Sequence, residues 1–184
     1  SDDLYPALGR SNVSLVTEPI HRIEKRGVRT GDGLLHELDV LIHATGFETT
    51  SFLGKLDIHG RNGESLREKW RDGAHAYLGM AVSGFPNFFL LYGPNTNLGH
   101  NSILAMLECQ YTYLLQAIHR IQADRVQTLE VREDVMARYN LDLQEKLRHM
   151  AWATGCGSWY KTSTGRITNN WCGSVDEYQA RTAL

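Results

Sequence analysis

Two short runs of consecutive apolar residues, Val40-Leu41-Ile42 and Phe88-Phe89-Leu90-Leu91-Tyr92, each end at a glycine-bearing turn. Alternation of apolar and polar residues marks a strand with one wet face. An unbroken apolar run bounded by turn residues suits a strand covered on both faces, as in an α/β sheet. Asp39 and Gly46 bound the first run, and Gly93-Pro94-Asn95-Thr96-Asn97 stops the second. Shorter β-branched stretches at Asn12–Val16, Tyr77–Val82 and Val126–Val131 predict further strands. Arg26–Leu35, with three glycines, predicts a hairpin or loop.

The helical signal lies in the second half. Ile103, Leu107, Leu114, Ile118 and Ile121 recur at helical spacing, with Asn101 or Ser102 able to cap the start. Val135, Tyr139, Leu143, Leu147 and Met150 predict a second helix from about Glu133 to Met150. Ser65-Leu66-Arg67-Glu68 fits a capping box and predicts a short helix through Trp70. From Trp152 onward the sequence is rich in Gly, Thr, Asn and aromatics and has little period, which predicts an irregular region held by aromatic anchors. The expected class is α/β, with two long helices and an irregular aromatic tail.

Composition narrows the function. The chain has 184 residues, 42% hydrophobic and 22% charged, ordinary for a globular protein of one domain or one and a half. A net charge of -2 excludes a chain-wide basic footprint for nucleic acid. No apolar run approaches the roughly 20 residues that span a bilayer. The N-terminal Ser1-Asp2-Asp3 has no signal-peptide character. Cys109, Cys156 and Cys172 form neither a Cys-x-x-Cys pair nor a zinc pattern, so a reduced, cytoplasmic chain is expected.

Three segments could carry chemistry. In the first, Asp39-Val-Leu-Ile-His-Ala-Thr45-Gly46-Phe47, an apolar run ends in a small-residue turn. Gly46 lets backbone approach another strand or a planar ligand, although a strand ending in a turn needs no ligand. In the second, Tyr92 to Ser102, a polar loop containing Asn95, Thr96, Asn97, Leu98 and Asn101 runs into a helix. The free N–H groups of that helix start attract anionic or carbonyl groups. Its spacing matches neither a Walker loop nor Gly-x-Gly-x-x-Gly. In the third, Ser158-Trp159-Tyr160-Lys161 precedes Gly165-Arg166 and Asn169-Asn170-Trp171. Aromatics beside Lys161 and Arg166 can stack on a nucleotide or grip a phosphate. Equally, Trp159 and Trp171 can pin the tail to the core. No nucleophile–base–acid set has a recognisable spacing.

Taken in order, these segments resemble the C-terminal part of flavin-containing monooxygenases of the Baeyer–Villiger type. The most specific stretch is Gly84-Phe-Pro-Asn-Phe-Phe-Leu-Leu-Tyr-Gly-Pro-Asn-Thr-Asn-Leu-Gly-His-Asn-Ser102. The resemblance implies a partial two-domain FAD/NAD(P)-binding fold. Residues 1–46 would end the nicotinamide domain, 47–150 would belong to the FAD domain, and 151–184 would form the tail. It implies FAD and NADPH as cofactors, and O2 plus a ketone or heteroatom compound as substrates. Thr45, Gly46, Asn95, Thr96, Asn97, Leu98, Asn101, Ser102 and Trp159 would be cofactor contacts, with no catalytic side chain or metal among them. The family's glycine-rich fingerprints and its arginine beside the flavin do not occur in this sequence, and Cys172 stands where relatives usually have proline. The chain therefore looks like a C-terminal fragment, inactive alone, with strand edges open to self-association. Two other readings stay open. One is a non-catalytic binding or assembly module. The other is part of a flavoprotein reductase sharing the Ala-Thr-Gly element.

Overall fold

The computed structural model describes residues 2–154 and 160–183. The chain divides into two units, Ser1–Gly46 and Phe47–Leu184.

The first unit holds the short helix α1 (Leu4–Leu8) and three strands, β1 (Ile20–Glu24), β2 (Gly27–Thr30) and β3 (Leu35–Glu37). They form an antiparallel sheet in the order β1-β2-β3, with Glu24 opposite Gly27 and Arg29 opposite Leu35. Gly27 is required by close approach: a Cβ there would lie 1.9 Å from the His36 carbonyl oxygen. The hairpin expected between Arg26 and Leu35 is therefore present as β2, its turn and β3. The strand expected at Asn12–Val16 is not formed, and neither is the one at Val40–Ile42. Leu15 is 73%, Val40 73% and Ile42 83% exposed. A strand exists only where a neighbour offers its N–H and C=O groups. Among the described residues none pairs with either run.

The second unit is mainly helical: α2 (Leu66–Lys69), α3 (Ile103–Ala123), α4 (Glu133–Arg148) and α5 (Val175–Thr182). One buried cluster joins Leu78, Met106, Leu143, Leu147, Trp171 and Tyr178; another joins Leu66, Trp70, Val82, Phe85, Leu90 and Met136. Both long helices lie where the apolar period places them. The buried stripe of α3, however, is Met106, Gln110 and Ala117, offset from the expected one, and Ile118 is exposed. In α4, Tyr139, Leu143 and Leu147 are buried as expected. Ser65 precedes α2, but its side chain makes no capping bond, and the helix stops at Lys69. Residues 160–173 of the tail are irregular, and α5 follows. Ser174 Oγ accepts from Glu177 N at 3.1 Å, the cap that Ser174-Val-Asp-Glu177 encodes.

The strands expected at 77–82, 88–92 and 126–131 are replaced by turns and single bridges. Leu78 and Gly79 both have positive φ (51° and 67°), and Met80 N donates to Tyr77 O at 2.9 Å, a tight reversal inside the expected strand. Leu90 N donates to Met80 O, and Tyr92 turns left-handed at φ 57°, which ends the apolar run early. The 127–129 segment is tied to Asn87, whose side chain bonds Gln127 O at 3.0 Å and Leu129 N at 2.9 Å. Among the described residues, no helix is long and apolar enough to cross a membrane.

Candidate functional site

The Tyr92–Ser102 loop is held from three sides. Its start is fixed by a polar relay through the core. Tyr92 N donates to Gln110 Oε1 at 2.9 Å, Gln110 Nε2 donates to the Tyr178 hydroxyl at 3.0 Å, and that hydroxyl donates to Leu78 O. Tyr178 and Gln110 have no exposed surface. Burial pushes the Tyr178 phenol far above its ordinary pKa, so it stays a donor.

The middle of the loop is zipped to the tail as a parallel pair. Asn95 N donates to Thr168 O at 2.7 Å, Asn97 N to Asn169 O at 2.9 Å, and Trp171 N to Asn97 O at 2.8 Å. Side chains repeat the pattern. Asn95 Nδ2 donates to Ile167 O at 2.8 Å and Asn170 O at 3.0 Å, and Asn97 Nδ2 donates to Asn170 Oδ1 at 2.9 Å. Asn95 adopts φ 58°, a conformation asparagine tolerates better than most residues. Its Oδ1 is buried and has no partner. Thr96, fully buried, donates to Gly93 O at 2.7 Å and fits beside Gly79, where a Cβ would come 2.1 Å from Thr96 Cγ2.

The third anchor is the start of α3. Ser102 Oγ accepts from Ala105 N at 3.3 Å, and Asn101 Oδ1 accepts from Ser102 N at 2.7 Å. Both side chains are exposed and turned to their own helix start, so capping accounts for the bonds they make. Leu98 is buried in the core cluster.

An open cavity of about 430 Å³ lies against this loop, lined by Thr49, Phe52, Tyr92, Gly93, Asn97 and Asn169. Tyr92 donates its hydroxyl proton to Asn97 Oδ1 at 2.8 Å, and burial raises its pKa. The structure thus brings Asn95, Thr96, Asn97, Leu98, Asn101 and Ser102 together in one element, with Asn97 alone of these facing the cavity. Thr45 and Gly46 fall in the first unit. Both are exposed, and Gly46 (φ 74°) has open space where a Cβ would be. Trp159 lies outside the described residues. Trp171 is 1% exposed, packs edge-on to Tyr178 at 5.5 Å and donates Nε1–H to Ser174 O at 3.1 Å, which makes it a core anchor.

Sequence reasoning passed over Phe52 and Gln110, and it placed Asn169 in the third segment without linking it to the Tyr92–Ser102 loop. Phe52 and Asn169 stand in turn-rich or irregular segments, and a buried glutamine on a helix carries no periodic signal. Among the described residues no group of acidic, His or Cys side chains could hold a metal ion.

With this geometry in place, comparison with known proteins is specific. No family model matches the chain. An FAD-binding monooxygenase of Aspergillus niger is 45% identical, covering 97% of this chain and 30% of its own length. A Baeyer–Villiger monooxygenase of Pseudomonas aeruginosa is 39% identical, covering 99% of this chain and 35% of its own length. Among solved structures, OTEMO in complex with FAD and NADP superposes with a TM-score of 0.81 at 28% identity, over 98% of this chain and 34% of that one. Oxidized steroid monooxygenase bound to NADP gives 0.78 at 30% identity, over 97% and 34%. The chain is homologous to flavin monooxygenases of the Baeyer–Villiger type over nearly all its residues, and it spans about a third of the length of those relatives.

Proposed function

We propose that this chain is the flavin-walling part of an FAD- and NADPH-dependent monooxygenase that inserts one oxygen atom of O2 into a ketone or heteroatom substrate. The observation that carries the reading is the Tyr92–Asn97 loop. It is clamped to residues 167–171 and presents Tyr92, Gly93 and Asn97 to a cavity within a stretch aligned with FAD-binding relatives.

The residues present fit a flavin ring. The cavity volume falls in the usual range for cofactor sites, about 300–1,000 Å³. Phe52 and Tyr92 supply apolar faces for a planar heterocycle, and the Asn97 and Asn169 amides suit its hydrogen-bonding edge. Bound flavin would supply hydride acceptance from NADPH and activation of O2. The chain's own residues bind, orient and exclude water. In this reading Asn95, Thr96 and Leu98 position the loop, Asn97 touches the ring, and the α3 start behind Asn101 and Ser102 sets a favourable potential for negative charge. Thr45, Gly46 and Trp159 remain proposed cofactor contacts on the resemblance alone, as does the division of the chain at residues 46 and 150. Free Cys109 and Cys172 support a reducing, cytoplasmic location. The exposed run Val40–Ile42, with Phe47 94% exposed, supports self-association of the isolated chain.

The sequence has no Gly-x-Gly-x-x-Gly loop to hold a pyrophosphate. The isolated chain should therefore bind free FAD and lumiflavin similarly and weakly, and purify without stoichiometric flavin absorbance. Asn97→Ala should weaken lumiflavin binding several-fold, read by flavin fluorescence. A gene product carrying this segment together with the rest of the enzyme should bind FAD and add 16 Da to a ketone with NADPH. A flavin-free full-length protein, or no saturable lumiflavin quenching, would sink the reading.

A further inference from the structure

A second cavity, about 870 Å³, runs along α4 and the 161–167 segment. Its charged lining is Lys69, His75, Arg148, Lys161 and Arg166, with Glu133 as the one acid. Two of the cations are already neutralised, Lys69 by Glu64 at 2.9 Å and Arg148 by Glu145 at 2.8 Å. Lys161 Nζ donates to the carbonyls of Ala153 and Thr154, at 2.6 and 3.3 Å, which orient it without cancelling its charge.

Arg166 is the unusual group. Among the described residues it is the one arginine withdrawn from solvent that has no carboxylate partner. Arg10, Arg67 and Arg125 also lack one, but they are exposed. The fold holds it deliberately. Its Nη2 donates to Asn140 Oδ1 at 2.9 Å. The Asn140 amide nitrogen is committed to Ala76 O at 3.2 Å and Met136 O at 2.9 Å, so the asparagine oxygen is fixed toward the guanidinium. Gly73, at φ 122°, clears the path of the side chain: a Cβ there would lie 3.0 Å from Arg166 Cδ. Arg166 Nε is shut off from water and unpaired. Burial lowers the guanidinium pKa. The His75 imidazole is lowered too, first by burial and further by the charges of Arg166 and Lys69.

A half-buried cation with no carboxylate partner is stabilised when an anion joins it. A guanidinium oriented by an asparagine oxygen, and a lysine lining the same groove, offer the donors that recognise a tetrahedral dianion. We propose that Arg166 and Lys161 bind a phosphate group in this groove. The site is separate from the flavin reading, because it shares no lining residue with the cavity at Tyr92 and Asn97.

Calorimetric titration of the chain at constant ionic strength tests it, with inorganic phosphate, adenosine monophosphate, acetate and chloride as probes. Phosphate should bind saturably at one per chain, with acetate no better than chloride. A tenfold advantage for the nucleotide identifies a phosphomonoester as the ligand; equal affinity identifies free phosphate. Arg166→Gln should weaken phosphate binding at least tenfold, Lys161→Gln several-fold, and Arg166→Lys should give an intermediate loss. Phosphate binding no tighter than chloride overturns the proposal. So does unchanged affinity in Arg166→Gln or, if that variant does not fold, in both Arg166→Lys and Lys161→Gln.

Discussion

The two units of the molecule spend their apolar residues differently. In Ser1–Gly46, Val28 is the buried hydrophobic residue, while Leu15, Ile20, Ile23, Val40 and Ile42 are exposed. In Phe47–Leu184 apolar residues close over two clusters, and among the described residues most buried polar groups are bonded, with Ser83 Oγ, Asn95 Oδ1, Tyr139 Oη and Arg166 Nε the unpaired side-chain atoms. The first unit is a local hairpin sheet, held by neighbours in sequence and by ion pairs such as Arg29–Glu24. The second depends on contacts between residues far apart in sequence. Local backbone pairing can fix a register with almost no core, whereas a loop at a site needs a core behind it.

The sharpest way to break this contrast is to remove one anchor from each unit. Trp171→Ala should cost about 3–5 kcal/mol in chemical denaturation, as expected for a fully buried aromatic. Val28→Ala should cost only about 1–2 kcal/mol. Comparable losses would show that the hairpin is as core-dependent as the helical unit.

Asn95→Ala tests the zip itself. It removes the side-chain donor to Asn170 O and one of the two donors to Ile167 O, which keeps Gln144 Nε2 at 2.8 Å, and a cost of about 1–3 kcal/mol is expected. Amide exchange should accelerate at Asn97 and Trp171, whose N–H groups donate across the zip, and leave the hairpin unchanged. A variant as stable as the parent would mean that the backbone bonds alone hold the loop.

The smallest effect should come from acid. Arg29, and then Arg22, lower the Glu24 carboxyl from 4.5 to about 2. A carboxylate whose folded pKa is depressed contributes stability above its unfolded value and loses it as pH falls through the folded one. Hairpin amide shifts should therefore move between pH 4.5 and about 2, and Glu24→Gln should flatten that change. The pair is near the surface, so added salt should shrink the effect.

What was legible in the sequence follows the same divide. Helices α3 and α4 could be read because their period is local. The β2–β3 hairpin was marked by its glycines. Helix α5 was also legible, from Ser174 and Glu177, but the aromatic and glycine content around it drew the eye to a loop. The apolar runs at 40–42 and 88–92 misled because a buried strand is a statement about neighbours, and a run of residues does not contain them. At the candidate site, Asn95 to Asn97 stood out as more polar than a connector needs. Their partners Asn169 and Asn170 could not be assigned to them, since nothing local links positions 73 residues apart. Gln110 and Asn140 were hidden for another reason: a polar residue on a helix reads as solvated until a structure shows what covers it.

The separation between the two sides of the zip also sets a clock. Asn97 leaves the ribosome 73 residues before Asn170, its side-chain partner. At about 5–20 residues per second, the nascent loop waits roughly 4–15 s before the strand that completes it has been made. During that interval Asn95 and Thr96, destined for the interior, remain hydrated, and the cavity at Tyr92 has no wall at Asn169. Helix α3 can form from local bonds in far less time. The order of assembly is thus written into the covalent order of the chain: scaffold first, pocket last, with the final turn of synthesis acting as the latch.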